Sequence, residues 1–291
     1  MPIIETHNLS FTYSKGTPFE KRAVNNINIS INENEIIGIV GHTGSGKSTL
    51  IKLFNALLRP SSGQIYLEGK DIWENPKKIR EVRFKVGLVF QYPEHQLFEE
   101  TVYKDISFGP KNMGLKPQDI DTNVINAVKF IDFPMDLLQN SPFELSGGQK
   151  RRAAIAGVIA MDPQVLILDE PSAGLDPKGR EYLINQISTY HKKRGNTVIF
   201  VSHSMEDIAK IADRVLVLDN GNALMFDKPS RVFSNAQKLQ QIGLDIPDIT
   251  KVMIKLRQKG FKLDENIITI DQAVSSIKNL INQKGRGNLN G

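Results

Sequence analysis

Five short apolar stretches, rich in leucine and β-branched residues, recur along the chain with helix-like segments between them. Continuous runs of this kind are typical of central strands that are covered by helices on both faces of a sheet. Their alternation with helical segments predicts an α/β fold built on a largely parallel sheet. The stretches are residues 36–40, 85–90, 165–169, 197–201 and 214–219.

Near the N-terminus the apolar residues alternate with polar ones instead. The segments NLSFTY and NINISI, and later GQIYLEG, show the two-residue period of half-exposed antiparallel strands. We therefore expect a mixed sheet beside the parallel one.

The pattern also suggests a domain organisation. Residues 1–233 carry the strand-like stretches, and the interval at about 92–162 is helical in character, as an inserted helical subdomain would be. After residue 233, two short amphipathic pieces predict a small α-rich C-terminal extension over 234–285. We expect 286–291 to form a flexible tail.

Composition narrows the class of protein. The 291 residues are 40% hydrophobic and 24% charged, as in an ordinary globular protein. The absence of cysteine excludes disulfides and thiolate metal sites. The net charge of +5 is spread along the chain, which favours a solvated basic surface over a nucleic-acid site. We expect neither a signal peptide nor a membrane span, so any membrane role should depend on a partner.

One glycine-rich segment points to nucleotide binding. GHTGSGKST matches G-x-x-x-x-G-K-[ST] and lies between a strand-like stretch and the helix-like TLIKLFNALL, the context that a phosphate loop requires. Its glycines let backbone N–H groups face the phosphates, Lys47 should reach the β- and γ-phosphates, and the Ser48 hydroxyl should bind Mg²⁺. A glycine-rich turn with an incidental lysine is the alternative, which this context disfavours. The predicted nucleotide-binding residues are Gly41, His42, Thr43, Gly44, Ser45, Gly46, Lys47, Ser48 and Thr49.

Two acids follow the buried stretch VLILD. Carboxylates at such a position are costly unless they meet a cation or take part in chemistry. In a nucleotide site, Asp169 would orient magnesium and Glu170 would polarise the water that attacks the γ-phosphate. The alternative is an acidic cap of the following helix.

Three further side chains are candidates for the same site. His203 follows the next strand-like stretch. A single histidine at such a position is more often a structural hydrogen-bonding residue. Its position one strand on from Glu170 favours contact with the γ-phosphate and the water instead. Gln91 offers an uncharged oxygen to magnesium and an amide to water. Tyr13 could stack on adenine or simply pack on the sheet, and periodicity leaves both open.

The order of GHTGSGKST, Gln91, LSGGQ, VLILDE, SAGLD and His203 resembles that of ABC transporter ATPases, over residues 3 to about 233. The resemblance implies a P-loop ATPase cassette with a RecA-like core, a mixed sheet and a helical subdomain, and ATP and Mg²⁺ as cofactors. Glu170, His203 and Gln91 would be catalytic, and Ser48, Gln91 and Asp169 would hold the metal.

The resemblance also assigns the LSGGQ helix to a second molecule. Two cassettes would pack head to tail, with uncapped N–H groups at the helix start closing on the γ-phosphate held by the partner. The residues that would contact the partner's ATP, or link the two sites across the interface, are Ser146, Gly147, Gly148, Gln149 and Asp176.

A finer resemblance comes from GTPFE, PEHQLFEETV and FELSGGQKRRAAIAGVIAM. These segments are similar to the second ATPase of energy-coupling factor transporters, which import vitamins and metal ions such as cobalt. This implies a sister ATPase, a transmembrane coupling subunit and a substrate-capture membrane subunit as partners, and a peripheral location on the cytoplasmic side of the cell membrane. The C-terminal extension would then add to ATPase dimerisation.

Local charge suggests where a membrane partner docks. Glu94, Glu99 and Glu100 lie at the junction with the helical subdomain and could bind arginines of a coupling helix. The alternative is a solvated acidic face.

Other functions fit the sequence less well. A soluble ABC ATPase acting on nucleic acid or ribosomes is the main alternative, but such proteins carry long heptad arms or two cassettes in one chain. An exporter would often be fused to membrane spans, and a small-molecule kinase would share only the phosphate loop.

Overall fold

The computed structural model describes residues 1–287, and within them it forms a six-stranded and a four-stranded sheet surrounded by helices. The strands are β1 (Pro2–Tyr13), β2 (Lys21–Asn32), β3 (Ile36–Val40), β4 (Ser62–Leu67), β5 (Lys70–Asp71), β6 (Val86–Val89), β7 (Val165–Asp169), β8 (Thr197–Val201), β9 (Arg214–Asp219) and β10 (Asn222–Asp227). The α-helices are α1 (Lys47–Phe54), α2 (Ile79–Lys85), α3 (Val102–Asn112), α4 (Pro117–Phe130), α5 (Gly147–Ile159), α6 (Pro177–Arg194), α7 (Met205–Ile211), α8 (Pro229–Ser234), α9 (Ala236–Gln241), α10 (Asp248–Gln258) and α11 (Ile270–Gly287). Short 3-10 helices span Pro76–Lys78, Pro93–Gln96, Met135–Gln139 and Pro142–Glu144.

The six-stranded sheet has the order β10-β9-β3-β8-β7-β6, with β10 as an antiparallel edge strand on an otherwise parallel sheet. Every residue of β3, β6, β7 and β8 is buried, which explains why these strands are continuously apolar in sequence. The predicted parallel sheet is confirmed.

The four-stranded sheet has the order β2-β1-β4-β5 and is antiparallel throughout. It contains the three segments whose alternating pattern predicted half-exposed strands. One hydrophobic core, which includes Ile27 and Ile65 of this sheet, Ile39 and Ile199 of the larger one and Phe54 of α1, joins the two sheets. The start of α1 is thereby fixed at the end of β3.

A helical subdomain connects β6 to β7. It contains α3, α4 and α5, whose apolar faces meet at buried residues such as Ile106, Val124 and Ala156. These residues continue into the core on the outer face of the six-stranded sheet. The bounds of about 92–162 for this subdomain stay a prediction.

The C-terminal part is helical, as predicted. The boundary proposed at residue 233 falls within α8, and Leu239 and Ile246 beyond it belong to the core of the main body. Helices α10 and α11 meet instead in a small core of their own around Met253. The division into 1–233 and 234–285 stays a prediction. Of the predicted tail, residues 286 and 287 end α11, and 288–291 lie outside the described residues. None of the described helices is long and apolar enough to cross a bilayer.

Candidate nucleotide site

The phosphate loop follows β3, and the predicted catalytic residues Gln91, Glu170 and His203 follow β6, β7 and β8. Because these strands are parallel, their carboxyl ends meet at one edge of the sheet, where α/β proteins bind ligands. Adjacent order β8-β7-β6 brings His203, Glu170 and Gln91 to neighbouring positions.

At two positions of the phosphate loop, contacts with the neighbouring backbone leave no room for a side chain. A Cβ at Gly41 would lie 2.5 Å from the carbonyl oxygen of Leu218. Gly46 has a φ of +106°, and a Cβ there would lie 2.3 Å from the carbonyl oxygen of Ala23. The loop can therefore make its turns only with glycine at both places.

The loop leads into a helix start that is open to an anion. Helix α1 begins at Lys47 and has no side-chain cap, so the first N–H groups of the helix remain available. Lys47 is only 5% exposed, and its Nζ donates to the carbonyl oxygens of Gly41 and His42, at 2.7 and 3.1 Å. Burial lowers the pKa of Lys47, although Glu170 and Asp169 act against this shift. The ammonium is thus held over the loop in which phosphates would bind.

Other loop residues serve mainly to shape the loop. Ser45 is buried, and its N–H donates to the carbonyl of His42 at 3.1 Å. The imidazole of His42 contacts the Thr43 carbonyl at 2.8 Å and a carboxylate oxygen of Asp219 at 3.1 Å. Asp219, at the end of β9, was missed by the sequence analysis.

The donor set beside the loop suits a magnesium ion. Asp169 is the last residue of β7 and only 6% exposed. Burial raises its pKa, while a hydrogen bond with Ser48 acts in the opposite direction. Gln91 uses its amide nitrogen in a bond described below, which leaves its oxygen available. A carboxylate, a hydroxyl and an amide oxygen are hard ligands of the kind that Mg²⁺ takes alongside phosphates.

Glu170 lies at the centre of a three-residue cluster. Gln91 Nε2 donates to Oε2 of Glu170 at 2.9 Å, and His203 Nε2 lies 2.6 Å from Oε1. The Glu170 N–H donates to the carbonyl of Val201 at 3.0 Å, and its backbone adopts a left-handed φ of +49°. The side chains predicted to act together are therefore in direct contact.

The second helix start, at α5, is partly capped. The Ser146 hydroxyl accepts from the Gln149 N–H at 3.4 Å, and the Gln149 side chain accepts from the Ser146 N–H at 2.8 Å. The expectation of uncapped N–H groups needs correction here, because this reciprocal pair occupies the Gln149 N–H. The N–H groups of Gly147 and Gly148 still have no acceptor within the described part of the chain.

Two other predicted residues have local roles. Asp176 caps α6, since its Oδ1 accepts from the Gly179 N–H at 2.9 Å. The Tyr13 hydroxyl lies 3.1 Å from that of Thr49, and its ring meets Phe11 edge-on with centroids 4.8 Å apart. The ring is 39% exposed beside the phosphate loop, so adenine stacking stays a prediction.

Comparison with known proteins identifies the family of this chain. Residues 24–173 match the model of the family described as ABC transporter. The chain is 50% identical to the energy-coupling factor transporter ATP-binding protein EcfA2 of Clostridium tetani over 97% of its own length and 98% of that protein. The chain belongs to the ABC transporter family, in its energy-coupling factor branch.

Solved structures of related cassettes share the fold. The structure of cbiO1 from Clostridium perfringens, described as part of the ABC transporter complex cbiONQ, matches with a TM-score of 0.74 and 38% identity, covering 87% of this chain and 98% of that one. A dimeric post-hydrolysis structure of the ATP-binding cassette MJ0796, bound to ADP and Pi, matches with a TM-score of 0.70 and 25% identity, covering 78% and 98%. The predicted ABC ATPase fold is confirmed.

The proposed acidic docking cluster of this ABC ATPase needs revision. Glu94 pairs with Arg151 of α5 and its side chain is only 17% exposed, so it is not free to bind an external arginine. Glu100 is exposed and pairs with Lys104 one helical turn on. The sequence analysis missed Arg151 because an arginine in a basic KRR run is usually a surface residue.

Proposed function

We propose that this chain binds MgATP between itself and a partner cassette and hydrolyses it to energise import through a membrane complex. The cargo class would be vitamins or transition-metal ions such as cobalt. The sister cassette, a transmembrane coupling subunit and a substrate-capture subunit would be its partners, on the cytoplasmic side of the membrane. Support comes from the site geometry and from relatives named as parts of such transporters.

The glycines at the start of α5 carry this proposal. A Cβ built on Gly147 or on Gly148 meets nothing within 4 Å, and neither residue has a positive φ. The fold itself therefore does not need glycine at these positions. Their exposed, unpaired N–H groups suit close approach of an anion from outside the chain. A phosphate held by a second cassette is such an anion, and the MJ0796 cassette is a dimer with bound ADP and Pi.

The chemistry would be transfer of the γ-phosphoryl group to water. Glu170 accepts a proton as the water oxygen bonds to phosphorus and the bond to ADP breaks, giving ADP and phosphate. Gln91 and His203 keep the Glu170 carboxylate oriented, because each holds one of its oxygens. Lys47 neutralises charge on the phosphates.

A bound magnesium ion would neutralise further phosphate charge. Ser48, Asp169 and the Gln91 oxygen would hold it, with the remaining ligands supplied by phosphates and water.

An apolar groove beside the acidic segment suits the membrane subunit. Phe98 and Phe108 are 60% and 44% exposed and meet edge-on at 5.0 Å, at the side of a cavity of about 250 Å³. Glu99 and Glu100 lie next to this groove in sequence. An amphipathic coupling helix with apolar and arginine side chains would match both features.

The test is reconstitution. The chain, its sister ATPase and the membrane subunits would be assembled in liposomes, and ATP hydrolysis and uptake of labelled vitamins or cobalt would be measured. We expect both activities in the wild type and neither with Glu170→Gln. Both should persist with the control Glu181→Gln, which removes an exposed acid of α6 that pairs with Lys210. Hydrolysis without uptake of any of these solutes would refute the import function.

A further inference from the structure

A buried arginine, Arg151, connects three segments of the chain: helix α5, the 3-10 helix after Gln91 and the turn after Glu170. Arg151 lies in the second turn of α5 and is 7% exposed. Its Nε and one terminal nitrogen donate to the two oxygens of Glu94, at 3.1 and 2.9 Å. Such a bidentate pair fixes the planes of both groups.

The remaining terminal nitrogen of Arg151 reaches another loop. It donates to the carbonyl oxygen of Ala173 at 2.7 Å and to that of Pro171 at 3.3 Å. These carbonyls belong to the turn that directly follows Glu170. Glu170 adopts a left-handed backbone conformation, which is costly for a residue other than glycine and persists only where the surroundings hold it.

Glu94 belongs to the segment that carries Gln91. It lies in the 3-10 helix Pro93–Gln96, directly after Gln91 and Tyr92. Burial alone would raise the pKa of Glu94, but hydrogen bonds, above all those from Arg151, hold it below its ordinary value. Glu94 is therefore ionised at neutral pH, and the pair is a partly buried salt bridge.

The turn after Glu170 is held from its other side as well. Asp207 of α7 accepts two contacts from Arg180 Nε, at 2.7 and 2.9 Å, and lies 3.5 Å from the Ser172 hydroxyl. One side of the turn is thus anchored to α6 and α7, and Arg151 joins the turn to α5.

The small net contribution of such an ion pair to stability indicates a further role for Arg151. A partly buried ion pair contributes little net stability compared with apolar side chains of similar size, since both charges must leave water. The guanidinium does, however, specify one relative arrangement of three segments.

We propose that Arg151 is a positioning residue that couples the start of α5 to the Gln91 and Glu170 segments. The inference rests on the proposed function, in which Ser146 and the following glycines contact the partner's nucleotide. A movement of α5 towards that nucleotide would carry Arg151 with it. Glu94 and the turn after Glu170 would follow, so that the partner's bound ATP sets the alignment of this chain's own base.

The first test is Arg151→Met in the assembled transporter, which keeps an apolar stem and removes all four donor contacts. We expect kcat for ATP to fall about tenfold or more and KM to change less than about twofold, because Lys47 and the phosphate loop are untouched. The matched control is Arg214→Met. It also removes an ion pair with a glutamate, Glu35, and a hydrogen bond to a backbone carbonyl. Arg214 is the first residue of β9, at the end of the sheet away from the nucleotide site. This control should match the wild type in kcat per folded molecule.

A second variant tests whether Arg151 acts together with Glu94 or only stabilises the fold. Glu94→Gln keeps a hydrogen-bond acceptor and leaves the contacts of Arg151 with Pro171 and Ala173 intact, so it should lower kcat less than Arg151→Met. The double variant should be no slower than Arg151→Met alone, because residues that act as one unit are not additive.

Three outcomes would overturn the inference while leaving ATP hydrolysis by the wild type in place. They are an unchanged kcat per folded molecule in Arg151→Met, an equal kcat loss in Arg214→Met, and additive losses in the double variant. An inactive wild-type complex would instead count against the proposed function itself.

Discussion

His203 Nε2 lies 2.6 Å from one carboxylate oxygen of Glu170, and Gln91 holds the other oxygen at 2.9 Å. The three residues come from the ends of three adjacent strands, so their contact is a direct result of strand order. With both oxygens engaged, the carboxylate cannot rotate freely. A general base needs this kind of fixed orientation.

Replacing Glu170 with glutamine should stop turnover while preserving ATP binding. The amide keeps the size of the side chain but cannot accept the proton of the attacking water, so hydrolysis should fall by about 10²–10⁴-fold. Because ATP then persists, the closed cassette pair should accumulate, which light scattering can detect. ATPase activity close to that of the wild type would exclude Glu170 as the base.

Replacing His203 with alanine should have a smaller effect. One oxygen of Glu170 loses its partner, while Gln91 still holds the other, so we expect a fall in kcat of about 10²-fold or less and little change in nucleotide affinity. Steady-state ATPase assays and equilibrium binding of a fluorescent nucleotide would measure the two quantities separately. An equal loss in both would mean that His203 mainly binds the nucleotide.

Replacing Gly147 or Gly148 with alanine should prevent pairing with a second cassette without disturbing the fold of the chain. Neither new methyl group meets an atom of the chain, so the isolated subunit should keep its stability or gain up to about 1 kcal/mol. ATP-induced pairing and ATPase activity should nevertheless be lost, because the methyl would stand where the partner's phosphate approaches.

The comparison for these variants is Gly46→Ala. Its Cβ would lie 2.3 Å from a backbone oxygen at a positive φ, so this variant should be destabilised even as an isolated subunit, by about 1–3 kcal/mol. Thermal unfolding of the three variants gives the ranking. Loss of stability in Gly147→Ala would show that the glycine serves the fold after all.

The Glu94 and Arg151 pair should give an acid-dependent stability. The pKa of Glu94 is lowered in the folded chain from an ordinary value of 4.5, so its stabilisation is present above pH 4.5 and is lost as pH falls through the lower, folded-state value. Denaturant unfolding of the wild type and Glu94→Gln should therefore differ at neutral pH and converge in acid. With Arg151 removed, Glu94→Gln should no longer lower the stability at neutral pH. A difference between the wild type and Glu94→Gln that is constant with pH would contradict the assignment.

The sequence indicated which residues meet at the centre of the candidate site because the signals for them are local. Asp169 ends a buried apolar strand, Glu170 and His203 lie within two residues of the end of one, and Lys47 closes the glycine-rich loop after β3. Parallel strands end at one edge of the sheet. The alternating N-terminal segments likewise specified the antiparallel sheet.

The long-range pairs could not be predicted in this way. Arg151 and Glu94 are separated by 57 positions. Arg151 stands in the basic run KRR and Glu94 in the polar segment PEHQ, and both segments resemble a solvated surface. The one available signal was that the residues after Arg152, AAIAGVIA, are apolar, which indicates a helix buried on several sides. The bond between His42 and Asp219 joins ends of β3 and β9, and only the strand order reveals that these are neighbours.

The reciprocal cap between Ser146 and Gln149 has a consequence for association. Because each side chain already bonds to the other residue's N–H, the first turn of α5 is ordered before any second molecule arrives. Little conformational entropy then remains to be lost at this surface when two cassettes meet. The rate of closure should accordingly be limited by rigid-body rotation of whole subdomains and not by local folding of the receiving turn.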